Sequence, residues 1–262
     1  MGNLGDVAAA RASYLSRRSK NLSYLIETRY QWMNDWVSPD AEGVELGCGI
    51  GVGRQFLHAR SVLLTDMTDG DWLDVPHVDA VATPFDDGQF DFVVVQNVLH
   101  HLARPIAFFP EAARILKPGG LLLVRDVKCT LATRLLARLT RVEGYAYDVD
   151  VFDATVPLSD PANLWEANNA IPDLLFDDRP RFAREVPQFE IVDEGFEECL
   201  LMVNSGGVTH KTVSVPLPLP LLRALRRIDQ LLSRIGPNVF PMQRNVVLRR
   251  RGDDPPVPTT TL

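Results

Sequence analysis

The chain has 262 residues, 46% hydrophobic and 23% charged, a composition typical of one globular domain or of one domain with an insertion. Its net charge of −7 argues against nucleic acid as a main partner, because binding to phosphates requires a positive field. No apolar run approaches the roughly 20 residues that span a bilayer, the N-terminal MGNLGD lacks the apolar stretch of a secretion signal, and the three cysteines show no metal or disulfide spacing. We therefore expect a cytoplasmic protein with no metal site and no stable membrane insertion.

Hydrophobic periodicity and turn residues divide the first half of the chain into helices and strands. In chain order, the predicted elements are a helix at 8–37, a strand at 43–46, a helix at about 54–59, strands at 61–65 and 90–96, a helix before 117 and a strand at 121–125. Pro110 is placed in the first turn of the helix before 117, where a proline is tolerated. Gly70 and Pro76 oppose a long helix in 66–79, so this segment is expected to be a loop or one helical turn.

The second half is less regular. Its predicted elements are helices at 130–142 and 221–235 and strands at 196–203 and 245–250. We interpret 144–187 as an insertion that covers the functional site, and 252–262 as a disordered tail. The helix at 221–235 carries an apolar stripe with arginines beside it, which suits packing on the sheet edge or, as an alternative, peripheral contact with a membrane. The stripe consists of Leu221, Leu225, Ile228, Leu232 and Ile235.

The sequence VELGCGIGVG at 44–53 places glycines at alternate positions directly after an apolar strand. Such glycines let a strand turn sharply into a helix and let a ligand lie against bare backbone. The next strand ends in Asp66, and an acid at this position is typical of nucleoside binding. The G-x-G-x-x-G pattern of dinucleotide sites fails, since its last position falls on Val52 or Arg54. The loop therefore favours a nucleoside cofactor other than a dinucleotide.

Further motifs accompany this loop in order. Glu45 stands two residues before the first glycine, and VDAVATPFDDGQFDFVVVQNVLHHL and EAARILKPGGLLLVRDV follow at 78–102 and 111–127. Over residues 22–127 these motifs resemble those of the class I S-adenosylmethionine-dependent methyltransferases. The resemblance implies an α/β fold with a doubly wound, mostly parallel sheet of seven strands and an antiparallel last strand. The domains are then an N-terminal capping helix (1–40), a cofactor-binding core (41–128), the rest of the fold with its insertion (129–251) and the tail (252–262).

The resemblance implies roles for residues around the loop, with S-adenosylmethionine as the cofactor. Gly47, Gly49 and Gly51 face the methionyl part and the ribose through backbone atoms. Glu45 orients the methionine amino group, since a carboxylate suits a cationic amine; a salt bridge at the strand end is the alternative. Asp66 accepts hydrogen bonds from both ribose hydroxyls.

In the same comparison, three more residues are expected to contact the adenine ring. Met67 resembles the apolar residue that packs on the ring, although a core position is the alternative. Asp79 corresponds to the acid that accepts from the exocyclic amine, and the Ala80 amide to the donor that meets a ring nitrogen. Asp74 has a similar setting and is the weaker candidate for the acid.

The end of the strand at 90–96 supplies the remaining candidates. Gln96 and Asn97 are expected beside the transferred methyl group, in contact with cofactor or substrate. His100 and His101 are candidate catalytic bases, and helix-start packing or capping is their alternative role. A base is optional, because in-line transfer from a sulfonium gains much of its rate from orientation. Asp126, at the end of the next strand, is another candidate base.

These features predict an enzyme that transfers a methyl group from S-adenosylmethionine to a small molecule, with oxygen as the favoured acceptor atom. Two alternatives remain open: a catalytically silent protein that binds S-adenosylmethionine, and a nicotinamide-dependent oxidoreductase. No oligomeric state is predicted.

Overall fold

The computed structural model describes residues 6–17, 19–140, 144–160, 163, 165–207 and 214–252. Within these residues, seven strands form one sheet: β1 (Glu42–Leu46), β2 (Ser61–Asp66), β3 (Val75–Pro76), β4 (Phe90–Gln96), β5 (Leu116–Val127), β6 (Phe189–Glu197) and β7 (Gln243–Arg250). The described α-helices are α1 (Val7–Arg17), α2 (Lys20–Gln31), α3 (Phe108–Ile115), α4 (Leu131–Thr140), α5 (Ile171–Phe176), α6 (Arg179–Glu185), α7 (Leu200–Val203) and α8 (Leu219–Ile235).

The strand order is β3-β2-β1-β4-β5-β7-β6. The pairs from β3 to β5 are parallel, whereas β7 runs antiparallel to both β5 and β6. The predicted doubly wound, mostly parallel sheet with an antiparallel last strand is therefore confirmed. The chain leaves β1 for β2 on one side and later returns to β4 on the other, so the switch point lies between β1 and β4. In open α/β sheets, ligands bind outside the carboxyl ends of the strands at such a point.

Both faces of the sheet are covered by helices. In β4, Val93 and Val95 belong to one buried cluster, and Phe92 and Val94 belong to the other. The first cluster includes residues of α3, α5 and α6, and the second includes residues of α1, α2 and α8. The nearly continuous apolar run in β4 is thus buried on both sides, as expected of a central parallel strand.

The N-terminal region differs from the prediction in two places. The helix expected at 8–37 is α1 and α2 followed by a 3₁₀ turn at Trp32–Asp35, because the Ser19 hydroxyl accepts from the Leu22 amide and starts a new helix. The helix expected at 54–59 is a single 3₁₀ turn at Gly53–Gln55. The Asn34 side chain bonds the Phe56 carbonyl and the His58 amide, so these backbone groups do not continue a helix.

The segment 66–79 contains no helix in this structure, as predicted, but it contributes the short strand β3 that the sequence did not indicate. Pro110 is the third residue of α3, in its first turn, as expected. The strand predicted at 196–203 is wrong: β6 ends at Glu197 and α7 follows. The Asp229 carboxylate accepts from three successive amides, those of Cys199, Leu200 and Leu201, which ends the strand and caps α7.

The other C-terminal predictions are confirmed in part. The helix at 130–142 is α4, the helix at 221–235 is α8, and the strand at 245–250 is β7. The insertion at 144–187 is irregular up to α5 and α6. Residues 141–143 and 253–262, including most of the predicted disordered tail, lie outside the described residues.

The apolar stripe predicted for α8 packs on the protein only in part: Leu225 lies against a buried cluster and Leu232 is half-buried, whereas Leu221, Ile228 and Ile235 are exposed. Leu222, outside the predicted stripe, is the fully buried apolar residue of α8. None of the described helices is long and apolar enough to cross a membrane.

Candidate functional site

The loop after β1 turns through a series of left-handed residues. Gly47, Gly49 and Gly51 have φ angles of +70°, +53° and +64°, a region that strains any residue with a Cβ. A Cβ on Gly51 would overlap Trp72, whereas a Cβ on Gly49 would meet no atom within 4 Å. The loop therefore presents bare backbone to open space at Gly49, next to the carboxyl end of β1.

Glu45 lies under this loop and is 1% exposed. One carboxylate oxygen, Oε1, accepts from the Tyr30 hydroxyl at 2.7 Å and from Gln96 Nε2 at 3.3 Å. The other oxygen, Oε2, has no hydrogen-bond partner among the described residues and lies against Gly53, where a Cβ would overlap it. Burial raises the pKa of Glu45 to about 7, although the hydrogen bonds from Tyr30 and Gln96 lower it. A buried acceptor without a partner is costly, and a cationic amine would satisfy it.

Asp66 connects the end of β2 to the same loop. Its Oδ2 accepts from the Gly49 amide at 2.8 Å, and its Oδ1 accepts from the Thr68 amide at 3.0 Å and hydroxyl at 2.8 Å. Each carboxylate oxygen has two lone pairs, so the group retains capacity for hydroxyl donors. The structure thus places the predicted acid beside the predicted glycine loop.

The candidate adenine residues follow Asp66 along the same edge. Met67 is 41% exposed, so it is not a core residue. The Val78 amide donates to the Asp66 carbonyl at 3.0 Å, which brings the buried Ala80 and the exposed Asp79 towards the end of β2. The weaker candidate, Asp74, is held elsewhere: its carboxylate accepts from the Leu64 amide at 2.7 Å and pairs with Arg54. This geometry favours Asp79 over Asp74.

The end of β4 lies on the other side of the switch point. Gln96 reaches Glu45, as described above, and Asn97 adopts a φ of +54° while its amide donates to the Arg125 carbonyl at 2.7 Å. A left-handed conformation is uncommon for residues other than glycine and occurs often at functional sites. Both predicted residues therefore lie at the carboxyl edge, between β1 and β5.

His100 is buried, and its Nδ1 is hydrogen-bonded to Asp126 at the end of β5. The Asp126 carboxylate also accepts from the Leu99 amide at 2.8 Å and the Val127 amide at 2.7 Å. Burial alone would raise the pKa of Asp126, but the charge and hydrogen bond of His100 and the Val127 amide outweigh it and hold this pKa below its usual value. Asp126 thus orients the His100 ring.

His101 is the less buried member of the pair. Its ring centroid lies 4.2 Å from that of His100 and 6.3 Å from that of Trp165, and its Nδ1 is 3.4 Å from the Glu166 carbonyl. The Asn168 amide donates to the His100 carbonyl at 2.9 Å. The inserted segment therefore contacts both histidines.

Three residues at the site were missed by the sequence reasoning: Tyr30, Arg11 and Trp72. The Trp72 indole donates to the Gly49 carbonyl at 3.0 Å, and the Arg11 guanidinium lies 4.8 Å from the centre of its ring. Arg11 also donates to the carbonyls of Ile50 and Gly51. The glycine loop is thus covered by α1 and by the loop between β2 and β3. Trp72 could have been suspected from the sequence, because a tryptophan is unusual in a short polar loop. No motif marks Arg11 and Tyr30, which lie on helices.

A cavity of about 510 Å³ lies beside this cover and is lined by Arg11, Trp72 and Asp74 among others. Glu45 and Asp66 do not line it. The convergence of polar groups at the carboxyl edge, rather than this cavity, therefore defines the candidate site.

Residues 44–124 match a family model described as a methyltransferase domain. The demethylmenaquinone methyltransferase of Clavibacter sepedonicus is 31% identical over 104 residues, which cover 34% of this chain and 41% of that protein. The ubiquinone/menaquinone biosynthesis C-methyltransferase UbiE of Roseobacter denitrificans is 33% identical over 115 residues, which cover 36% of this chain and 46% of that protein. The chain spans less than half the length of the curated relatives that it matches.

Among solved structures, a SAM dependent methyltransferase from Archaeoglobus fulgidus aligns with 90% of this chain and 100% of its own, with a TM-score of 0.51 and 15% identity. At this identity the likeness concerns the fold alone. The matched methyltransferase domain includes the glycine loop, which argues against the nicotinamide alternative. Residues 44–124 thus match a methyltransferase domain, and the fold of the described residues is similar to that of a SAM dependent methyltransferase.

Proposed function

We propose that this protein transfers a methyl group from S-adenosylmethionine to a small-molecule acceptor. The observation that carries the proposal is Glu45 Oε2, a buried carboxylate oxygen without a partner among the described residues, beside the glycine loop. The amino group of the methionine moiety supplies the cation that this oxygen lacks. A dinucleotide offers no such amine at that position, so the residue discriminates between the two cofactor classes.

The other residues at the edge fit the rest of the cofactor. Asp66 accepts from the ribose, Met67 packs on the adenine, and Asp79 with the Ala80 amide meets the adenine edge. Gln96 and Asn97 lie towards the reacting end, since both belong to the switch point between β1 and β4. When bound, S-adenosylmethionine supplies an electrophilic methyl group on a sulfonium.

We propose a hydroxylated ring of the quinone-precursor type as the acceptor, with oxygen as the acceptor atom. The names of four relatives support the substrate class: besides the two described above, they are a ubiquinone biosynthesis O-methyltransferase of Caulobacter vibrioides and a 2-methyl-6-phytyl-1,4-hydroquinone methyltransferase of Synechocystis. His100, oriented by Asp126, is the candidate base for the ring hydroxyl. The insertion at 144–187 covers the acceptor side, because its residues contact both histidines.

The test is a transfer assay with methyl-labelled S-adenosylmethionine and soluble dihydroxylated rings, namely a catechol and a 1,4-naphthoquinol. We expect label in the ring compound, and nuclear magnetic resonance of the product identifies oxygen or carbon as the acceptor. Calorimetry with S-adenosylhomocysteine and with NAD gives the matched binding control. Binding without transfer to these rings or to any compound in a host extract would leave a silent S-adenosylmethionine-binding protein and contradict the proposal.

A further inference from the structure

α8 is amphipathic, and part of its apolar side faces away from the protein, while Leu222 and Leu225 pack against a buried cluster. The buried residues of α8 are Leu222, Asp229 and Ser233, and the Asp229 carboxylate caps α7. Ile228, Leu231 and Ile235 lie on the outer side, each between 47% and 71% exposed. An exposed stripe of large apolar residues on a helix marks an interaction surface.

A second helix repeats this arrangement. In α4, Leu131, Leu135 and Leu139 recur every four residues, which places them on one face. Each is between 58% and 75% exposed. The buried residue of α4 is Thr133, whose hydroxyl donates to the Lys128 carbonyl at 2.6 Å. This helix is therefore anchored by polar contacts near its start, and Leu131, Leu135 and Leu139 are left outside, whereas Leu136 is half-buried.

The start of α4 is hydrogen-bonded to the segment that follows α8. The Ala132 amide donates to the Val239 carbonyl at 3.0 Å, and the Leu131 amide to the Asn238 carbonyl at 3.4 Å, so the start of α4 lies on the segment that follows α8. Val239 is itself exposed. We call the outer faces of the two helices the α4–α8 surface, defined by Leu131, Leu135, Leu139, Ile228, Leu231 and Ile235.

The charges on this surface oppose those of the rest of the protein. The chain has a net charge of −7, yet α4 and α8 together carry six arginines and one acid, the buried Asp229. Two of the arginines are engaged: Arg134 lies over Tyr147, and Arg226 donates to Gln31. The exposed arginines are Arg138, Arg223, Arg227 and Arg234.

The surface also adjoins the candidate active site. β7 begins at Gln243 opposite Val127, the last residue of β5, and α4 follows that same end of β5. The end of α8 and the start of α4 therefore lie at the carboxyl edge of the sheet, where Asp126 holds His100. A partner that docks here comes to the acceptor side of the site.

We propose that the α4–α8 surface docks the protein on an anionic lipid bilayer. Leucine and isoleucine side chains enter the boundary between headgroups and acyl chains, and the arginines contact headgroup phosphates. Charge complementarity selects this partner, because two copies of the surface would bring arginines against each other. The docked protein takes its acceptor from the membrane, so the acceptor is lipid-soluble; this last step rests on the proposed function, and the docking does not.

Vesicle co-sedimentation of the full chain tests the docking. We expect binding to vesicles of phosphatidylglycerol with phosphatidylcholine, little binding to phosphatidylcholine alone, and release at about 1 M salt, where charges are screened within roughly 3 Å. The triple variant R223Q/R227Q/R234Q should bind the vesicles roughly 100-fold more weakly, because each arginine contributes about fivefold to the affinity. The apolar variant L135S/L139S should lose at least about tenfold. R184Q changes an exposed residue just before the start of β6, at the opposite edge of the sheet, and should bind as the wild type does.

Circular dichroism and calorimetry with S-adenosylhomocysteine in the absence of lipid accompany each variant, and both should be unchanged. No vesicle binding by the wild type, or equal binding by the surface variants, overturns the proposal. A concentration-dependent dimer that L135S/L139S dissociates, without vesicle binding, also overturns it and makes the surface an interface between copies. Failure of the wild type to bind S-adenosylhomocysteine would instead contradict the proposed function and leave the docking result intact.

Discussion

Replacement of Glu45 by glutamine should separate cofactor affinity from protein stability. The E45Q side chain keeps the shape of the protonated acid and its contacts with Tyr30 and Gln96, but it cannot carry the charge that binds an amine. A hydrogen bond to a charged group contributes about 1.5–3 kcal/mol. We therefore expect S-adenosylhomocysteine to bind E45Q roughly 10- to 150-fold more weakly at pH 7.5. Adenosine, which lacks the amine, should bind both proteins alike.

The pH dependence gives the second measure of this substitution. Burial raises the pKa of Glu45 to about 7, so the fraction of ionised carboxylate falls about tenfold for each pH unit well below that value. Wild-type affinity for S-adenosylhomocysteine should drop roughly 50-fold between pH 7 and pH 5. The same plot for E45Q should be nearly flat, and the exposed control E42Q, on the same strand, should follow the wild type. Isothermal titration calorimetry measures both.

The E45Q substitution should weaken cofactor binding but stabilise the ligand-free protein. The folded pKa of Glu45, about 7, lies above its ordinary value of 4.5, so its contribution to stability is fully present below pH 4.5 and is lost as the pH rises to about 7. E45Q removes this loss and should raise the free energy of unfolding at pH 8 by up to about 3 kcal/mol, with little gain at pH 4.5. Urea unfolding of the ligand-free protein measures it. If E45Q binds S-adenosylhomocysteine within twofold of the wild type and keeps its pH dependence, the assignment of Glu45 to the amine is refuted.

Four further substitutions probe other parts of the structure. D66N should weaken S-adenosylhomocysteine and adenosine alike, by roughly 10-fold or more in calorimetry, because the ribose is common to both; selective loss of one ligand would contradict its role. H100N should lower kcat by about 10²–10⁴-fold while S-adenosylhomocysteine affinity holds, and D126N should shift the pH profile of kcat; an unchanged rate would leave His100 a packing residue. E198Q should cost about 3–5 kcal/mol in urea unfolding, because this buried acid lies between Arg29 and Arg125. Burial raises the pKa of Glu198, but the two arginines outweigh it and hold the pKa low, so its contribution is present above pH 4.5 and fades as the pH falls.

The sequence predicted those site residues whose positions follow from strand order. Once β1, β2 and β4 are parallel neighbours, the residues at their carboxyl ends must lie on one edge, so Glu45, Asp66 and Gln96 could be brought together without coordinates. The spacing of glycines likewise indicated the turn after β1, since no other residue tolerates its φ angles cheaply. The roles of these residues towards a bound cofactor remain predictions.

Other features could not be predicted, because they depend on contacts between distant segments and have no local pattern in the sequence. Tyr30 and Arg11 reach the glycine loop from helices whose periodicity shows only an apolar face. The end of β6 is set by Asp229, which accepts from the Cys199 amide thirty residues earlier in the chain, and the apolar run at 200–203 does not reveal this contact. The outward apolar stripe of α8 is the same kind of case, because periodicity gives a face without saying what covers it.

The position of β7 imposes an order on folding. β7 comes after β6 in the chain but pairs with both β5 and β6, and among the described strands β6 pairs with β7 alone. During synthesis, β5 therefore remains an unpaired edge on that side, and β6 has no place in the sheet, until about 115 further residues have followed β5. Closure of the sheet is a late event between segments far apart in sequence, which favours slow folding. Truncation within β7 would thus release two strands rather than one.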